Sequence, residues 1–166
     1  MPRLLFIVRR HLCLNGIMKV SIYFFLFLGF LFTAFEQPYT ILTEEMDAFH
    51  ASNDFRKSKK RDRLNLDTFL CLLAREHSEN MASGKTQFGH DGFKERYKRI
   101  NKELASKGAA ENVFMSYEYA SGEEAVDAWI DSKGHRENLL DREYIRVGLG
   151  MATGPEGTFY TQIFAR

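Results

Sequence analysis

The segment AWIDSKGHRENLLDREYIRVGLGMA, residues 128–152, carries the strongest structural pattern of the sequence. It begins inside a helix whose start is marked by Ser121 and Glu124, spaced as a capping box in which each side chain bonds the backbone N–H of the other residue. We predict that this helix runs through Trp129 to Gly134. Because Trp129 lies among apolar helix positions, we expect its side chain in the core.

Two β-rich segments follow this helix. YIRVGLGMA (144–152) and TFYTQIFA (158–165) are rich in β-branched and aromatic residues, and TGPEG between them has the glycine and proline content of a turn. A further strand is predicted for AAENVFMSYEY (109–119). The carboxyl-terminal part is therefore predicted to contain a strand, a helix and a hairpin.

Three more helices are predicted upstream. They cover residues 40–58, 64–84 and 93–108, and in each the apolar residues recur at spacings of three and four. An order of helices, strand, helix and hairpin is typical of an α+β domain with helices packed on an antiparallel sheet. At 166 residues the chain has room for one such domain with an appendage.

Two residues of the helix at 64–84 and the charged segment before it have separate interpretations. His77 lies on the apolar stripe and is interpreted as a structural core residue, whereas Cys71 falls roughly 130° from the stripe centre and is expected to be partly exposed. Six basic residues lie between Arg56 and Arg63. They are interpreted as a solvated connection between two helices rather than a patch for phosphates or anionic lipid heads.

Charge and hydropathy separate the first 35 residues from the rest. Residues 1–35 hold four basic residues and no acid, so residues 36–166 carry 19 basic and 22 acidic residues, a net charge of −3. A mildly acidic domain argues against nucleic acid as a partner. Only Cys71 lies in this domain, so it is expected to fold without an internal disulfide.

An export signal is predicted before the domain. From Met18, the predicted true start, one lysine precedes an apolar segment that stays uncharged from Val20 to Phe35. We predict a signal peptide within an amino-terminal extension, residues 1–35, and a secreted or extracytoplasmic domain over residues 36–166. An uncleaved signal anchor is the alternative, and it is the only membrane contact expected.

Four segments in order resemble the CAP superfamily, which includes cysteine-rich secretory proteins, antigen 5 and pathogenesis-related proteins of group 1. They are LNLDTFLCLLAREHSENMA, FGHDGFKER, AENV, and AWIDSKGHRENLLDREYIRVGLGMA with FYTQIFA. The similarity covers roughly residues 41–166 and is strongest to the compact, disulfide-free branch common in bacteria. It implies a three-layer α-β-α sandwich, with a central antiparallel sheet, in a secreted protein.

The resemblance also implies a cleft that binds a divalent metal ion. The family's two histidines and one acid fall on His90, Glu111 and His135, an N, N, O set that suits zinc. A second acid found in animal members is replaced by Ser132, with Asp131 beside it. Water or Asp131 would then complete the ligand set.

Other roles for the same residues stay open at the level of sequence. The histidines and carboxylate could brace the cleft by hydrogen bonds, with His135 interacting with terminal helix carbonyls. Ser132 could act as a nucleophile with a histidine base and Glu111 as its orienter, which would make the domain a serine-type or metal-assisted hydrolase. The favoured interpretation is an extracellular ligand-binding or interaction module whose ligand is a lipid or a protein.

Overall fold

Five helices and four strands form the part of the protein that the structure, a computed structural model, describes, residues 39–166. The predicted extension and signal peptide lie outside these residues. In chain order the elements are α1 Thr43–Ser58, β1 Asn65–Leu66, α2 Thr68–Ala82, α3 Phe93–Leu104, β2 Ala109–Ser116, α4 Gly122–Asp131, α5 Lys133–Leu140, β3 Arg146–Gly154 and β4 Gly157–Ala165. None of the helices in this range combines the length and the apolar character needed to cross a membrane.

The four strands form one sheet in the order β1-β3-β4-β2. β4 pairs antiparallel with both β2 and β3, as predicted for the three long strands. The two-residue strand β1, which was not predicted, pairs parallel with β3. The sheet is therefore mixed at one edge, and β2 forms the opposite edge.

Helices cover both faces of the sheet, which confirms the α+β fold and the three-layer sandwich. One layer contains α1, α4 and α5, and its core includes Trp129, Leu139, Leu149, Tyr160 and Phe164. The other layer contains α2 and α3 and packs apolar side chains on the opposite faces of β2 and β4. Alternate residues of β4 thus serve two cores, as the two-residue period of a strand requires.

Glycines in β3 let α2 lie directly on the sheet. A Cβ at Gly148 would come within 2.3 Å of the Cys71 backbone N, and one at Gly150 would come within 2.0 Å of the Arg75 backbone N. Because the helix approaches so closely, positions at the side of its apolar stripe are also covered. Cys71 is fully buried, so its predicted partial exposure was wrong, and burial raises the pKa of its thiol to about 11.

The predicted helix that runs to Gly134 is broken at Ser132. α4 ends at Asp131, Ser132 is extended (φ −81°, ψ 124°), and a second helix, α5, starts at Lys133 and continues to Leu140. The Arg136 guanidinium donates to the backbone carbonyls of Ile130 and Asp131, which satisfies the end of α4. His135 therefore lies in the first turn of α5 and not at the carboxyl end of a helix.

The other element ends differ from prediction by a few residues for local reasons. α2 begins at Thr68 because the Asp67 side chain accepts a bond from the Leu70 N–H. α3 stops four residues before Gly108, since Ala105 adopts a left-handed conformation with φ +50°.

The basic segment after α1 is partly internal. Arg56 is 1% exposed and donates to the carbonyls of Asp62, Leu139 and Asp141, and Arg61 donates to the carbonyl of Leu140. These bonds join the end of α1 to the end of α5. The segment therefore connects helices, as interpreted, with two of its basic residues holding that connection.

Candidate functional site

Glu111 lies on the edge strand β2 and is the centre of a cluster of charged and imidazole side chains. Its side chain is 1% exposed and points to the α2–α3 side of the sheet, the side that Val113 also faces. Its neighbour Asn112 points to the opposite side. The edge strand thus connects two helical layers at this point.

His90 contacts Glu111 from the loop before α3. The Nδ1 atom of His90 lies 3.0 Å from Oε1 of Glu111, and the His90 side chain is 50% exposed. An ionised carboxylate only accepts hydrogen bonds, so Nδ1 carries the proton in this contact. The ring's second nitrogen, Nε2, is then left with a free lone pair.

Arg96 binds the same carboxylate from α3. Its Nε donates to Oε2 of Glu111 and its Nη2 donates to Oε1, both at 2.8 Å. Two parallel charge-assisted bonds fix the plane of the carboxylate. The third contact, from Nη1 to the Asp91 carbonyl at 2.9 Å, ties the same guanidinium to the loop of His90.

His77 approaches Glu111 from α2. It is 1% exposed, and its Nε2 lies 2.8 Å from the Gly89 carbonyl oxygen and 3.8 Å from Oε1 of Glu111. Burial lowers the pKa of His77, and the nearby Arg96 charge acts in the same direction, although Glu111 opposes it. The prediction that His77 is a core residue is confirmed, but the core position borders the cleft.

His135 belongs to the other helical layer, and its backbone carbonyl accepts a hydrogen bond from Asn112, the residue after Glu111. Burial lowers the pKa of His135, and the charge of His90 lowers it further. His90 and His135 thus come from opposite helical layers, on the two sides of the edge strand.

A line of buried amides holds α5 against the sheet. Asn112 donates to the backbone carbonyl of His135 and to Oε1 of Gln162, and it accepts a bond from Asn138. Gln162 in turn donates to Ser52 of α1 at 2.9 Å. The backbone position of His135 is thus set by hydrogen bonds to β2.

These contacts bear on the predicted metal ligands His90, Glu111 and His135. In the described range, 39–166, no group of three or more histidine, cysteine, aspartate or glutamate side chains could hold a metal ion. Glu111 has both oxygens engaged by Arg96, and it accepts from His90 rather than standing free beside it. The contacts of Glu111 are therefore those of a carboxylate that orients the His90 imidazole.

In the described part of the chain, Ser132 and Asp131 take no part in the hydrogen bonds of this cluster. Within residues 39–166, the Ser132 hydroxyl makes no hydrogen bond to a histidine, and Asp131 lies exposed at the end of α4. Glu124 forms the predicted capping box with Ser121 and has no part in the cleft. Arg136 bonds the end of α4, and Asn138 bonds the side chain of Asn112.

Sequence reasoning missed the contribution of Arg96 and did not connect His77 with the site. A signal for Arg96 was present, since it lies three residues after Phe93 and four before Ile100, on the apolar face of α3. A charged residue on a buried face must have a partner. The sequence did not identify that partner as Glu111.

A three-layer α-β-α domain with histidines and a carboxylate at the edge strand is the architecture that the sequence segments implied. The model of the CAP family, the cysteine-rich secretory protein family, matches residues 49–164. The chain therefore belongs to the CAP family.

Two bacterial relatives of this chain are larger than it is. A Bacillus subtilis protein, the membrane protein YlbC, is 29% identical over 129 residues, which are 75% of this chain and 35% of YlbC. An extracellular protein from Bacillus anthracis that contains an SCP domain has a TM-score of 0.61 and 28% identity, over 74% of this chain and 40% of that protein. This chain thus spans about a third to two fifths of the length of these two relatives.

A third similarity shows the fold alone. An outer surface protein from Borrelia burgdorferi is 19% identical, with a TM-score of 0.62, and the match covers 76% of this chain and 96% of that protein.

Proposed function

We propose that this protein is exported and acts outside the cytoplasm as a ligand-binding or interaction module, with a lipid or a protein as its ligand. We propose further that its central cleft binds a divalent ion, with zinc as the best match to its donors. The observation that supports this function is the half-exposed His90 held 3.0 Å from the buried Glu111 carboxylate, with the backbone of His135 bonded to the next residue of the same strand.

Support for export comes from the sequence and from a relative. The apolar segment after Met18 has the composition of an export signal. The Bacillus anthracis relative is an extracellular protein. A secreted CAP domain is consistent with both.

Each of the three cleft residues has a proposed role in metal binding. His90 and His135 would hold the ion through imidazole nitrogens, and zinc bound in this way would supply a Lewis-acidic centre with open positions. Glu111 holds Nδ1 of His90, and a metal-binding imidazole commonly donates its other N–H to such a carboxylate. Direct ligation by Glu111 stays a prediction.

A hydrolase is the second candidate, and one observation favours it. The His90–Glu111 pair at 3.0 Å has the arrangement of a general base with its orienting carboxylate. The absence of a Ser132 bond to either histidine within residues 39–166 favours the binding module. An activity screen of purified protein against peptide and ester substrates, with and without chelator, separates the two functions.

Calorimetric titration of zinc tests the proposed cleft directly. We expect wild type and His50→Ala to bind equally at pH 7.5, since His50 lies exposed on α1 outside the cleft. His90→Ala and His135→Ala should bind at least about tenfold more weakly, and wild-type affinity should fall as pH drops through ~6, because imidazole must be neutral to ligate. Equal binding by all four proteins would place zinc elsewhere.

A further inference from the structure

The loop that carries His90 is held at three consecutive backbone carbonyls. The Gly89 carbonyl lies 2.8 Å from Nε2 of His77, and the Asp91 carbonyl accepts from Nη1 of Arg96 at 2.9 Å. The His90 carbonyl between them accepts from the backbone N–H of Phe93 at 3.0 Å. The backbone is therefore fixed on both sides of the one histidine that contacts Glu111 at hydrogen-bond distance.

We propose that His77 and Arg96 are positioning residues of the cleft, which together hold the loop and the Glu111 carboxylate so that His90 keeps its proton on Nδ1 and presents Nε2 for binding. This inference rests on the proposed binding function of the cleft. Residues of α2 and α3 would thus orient His90, which lies in the loop between the two helices.

The ring of His77 is buried, so the hydrogen bonding of its two nitrogens must explain why a histidine lies at this position. A carbonyl oxygen only accepts, so Nε2 of His77 must carry the proton in its bond to Gly89. The other ring nitrogen, Nδ1, is buried and has no hydrogen-bond partner among the described residues. A leucine would fill this apolar stripe without burying an unpaired nitrogen, so the histidine is explained by its bond to the loop.

Arg96 bonds both the Glu111 carboxylate and the loop of His90, so it fixes their relative position. Its Nε and Nη2 fix the Glu111 carboxylate, and its Nη1 fixes the Asp91 carbonyl, one residue beyond His90. Arg96 is only 9% exposed, so solvent does little to weaken these bonds. A lysine would keep the charge but could not form the planar pair of bonds and the third bond together.

The inference predicts a defined tautomer for each ring. The neutral His90 ring should carry its proton on Nδ1, because its partner is a carboxylate, and the neutral His77 ring should carry its proton on Nε2, because its partner is a carbonyl. Long-range proton–nitrogen-15 NMR correlation spectra of purified protein at pH 7.5 distinguish the two forms. A wild-type His90 protonated on Nε2 would overturn the inference.

Matched variants separate positioning from general stability. His77→Gln keeps a side-chain N–H donor toward Gly89, whereas His77→Leu removes it. Arg96→Lys removes the two parallel bonds to Glu111, whereas Arg99→Lys changes an exposed arginine on the same helix. We expect His77→Leu and Arg96→Lys to show a mixture of His90 tautomers. Their zinc affinity should fall about tenfold or more, the usual effect of removing a group that orients a ligand.

His77→Gln and Arg99→Lys should keep the single His90 tautomer and a zinc affinity within about threefold of wild type. A folded His77→Leu or Arg96→Lys protein with the wild-type tautomer and affinity would overturn the proposal. If wild type itself binds no zinc, the metal part of the proposed function fails, while the His90 tautomers in wild type and variants still decide the inference.

Discussion

Trp129 shows how a single side chain connects α4 to the sheet. It is 1% exposed, as predicted for a core residue, and its Nε1 donates to the Val113 carbonyl at 3.0 Å. Val113 lies on the edge strand two residues after Glu111. The indole therefore contributes both buried apolar area and a bond to the strand that carries the site.

Trp129→Ala should destabilise the protein by ~3–5 kcal/mol, because a large aromatic side chain would be replaced by a cavity. Trp129→Phe should cost less, since it keeps most of the packing and loses the bond to the Val113 carbonyl. Urea unfolding followed by circular dichroism measures both. An unchanged midpoint for Trp129→Ala would place the side chain outside the core.

The pKa of His77 predicts how stability depends on pH. Burial holds this pKa below its usual value in the folded state, so below about pH 6.5 the unfolded chain binds a proton that the folded chain resists. The free energy of unfolding should therefore decrease as pH falls through that region. His77→Gln lacks this contribution, so its free energy of unfolding should change less between about pH 7.5 and 5 than that of wild type. An equal change in both proteins would contradict the assignment.

The packing of α2 on β3 is the element-scale feature that places the site. The Ser78 hydroxyl of α2 donates to the Gly150 carbonyl and accepts from the Thr161 hydroxyl of β4, both at 2.9 Å. These bonds and the bare backbone of Gly148 and Gly150 set the height of α2 above the sheet. The position of His77 follows from that placement, since it is the residue before Ser78.

Gly150→Ala should destabilise the protein by more than ~1–3 kcal/mol, because its Cβ would overlap the backbone of α2 and cannot be relieved by a side-chain rotation. Gly134→Ala is the matched control. A Cβ there meets no atom within 4 Å in the first turn of α5, so the change should be neutral or stabilise by up to ~1 kcal/mol. Thermal unfolding of the two variants measures the contrast; equal melting temperatures would contradict the close approach.

At the scale of the whole molecule, the described domain begins with anchored residues. The Tyr39 ring packs on the Arg75 guanidinium, with 4.2 Å between the ring centre and Cζ of Arg75. Arg75 also forms an ion pair with the buried Glu45 and donates to the Thr40 carbonyl. Residues from Tyr39 to Arg166 form one compact unit. The start of the domain is therefore part of its folded structure.

We expect the domain to be exported and released by cleavage near residue 35. Intact mass of protein recovered outside the cytoplasm should correspond to a start shortly after that residue. A variant that lacks residues 1–38 should keep the domain's melting temperature but remain in the cytoplasm, because the apolar segment would be gone. A product that retains Met18 and partitions with membranes would show an uncleaved anchor.

Most of the local structure and the family could be predicted from the amino-acid sequence. Apolar spacing predicted all the helices of the described part except α5, β-rich composition predicted the three long strands, and ordered motifs indicated the CAP family. These features depend on neighbours within a few positions or on motif order, so one chain is enough to reveal them. The break at Ser132 was missed because the bonds from Arg136 to the end of α4 are a matter of three-dimensional geometry.

The groups that surround Glu111 are a consequence of tertiary packing. His77, Arg96 and His90 come from a helix, a second helix and the loop between them, and they converge on one carboxylate only because α2 and α3 pack on the face of β2 that Glu111 shares. The same packing buries Cys71, because glycines in β3 remove the side chains that would hold α2 away. Such contacts depend on distances between residues remote in sequence, and hydrophobic periodicity carries no information about them.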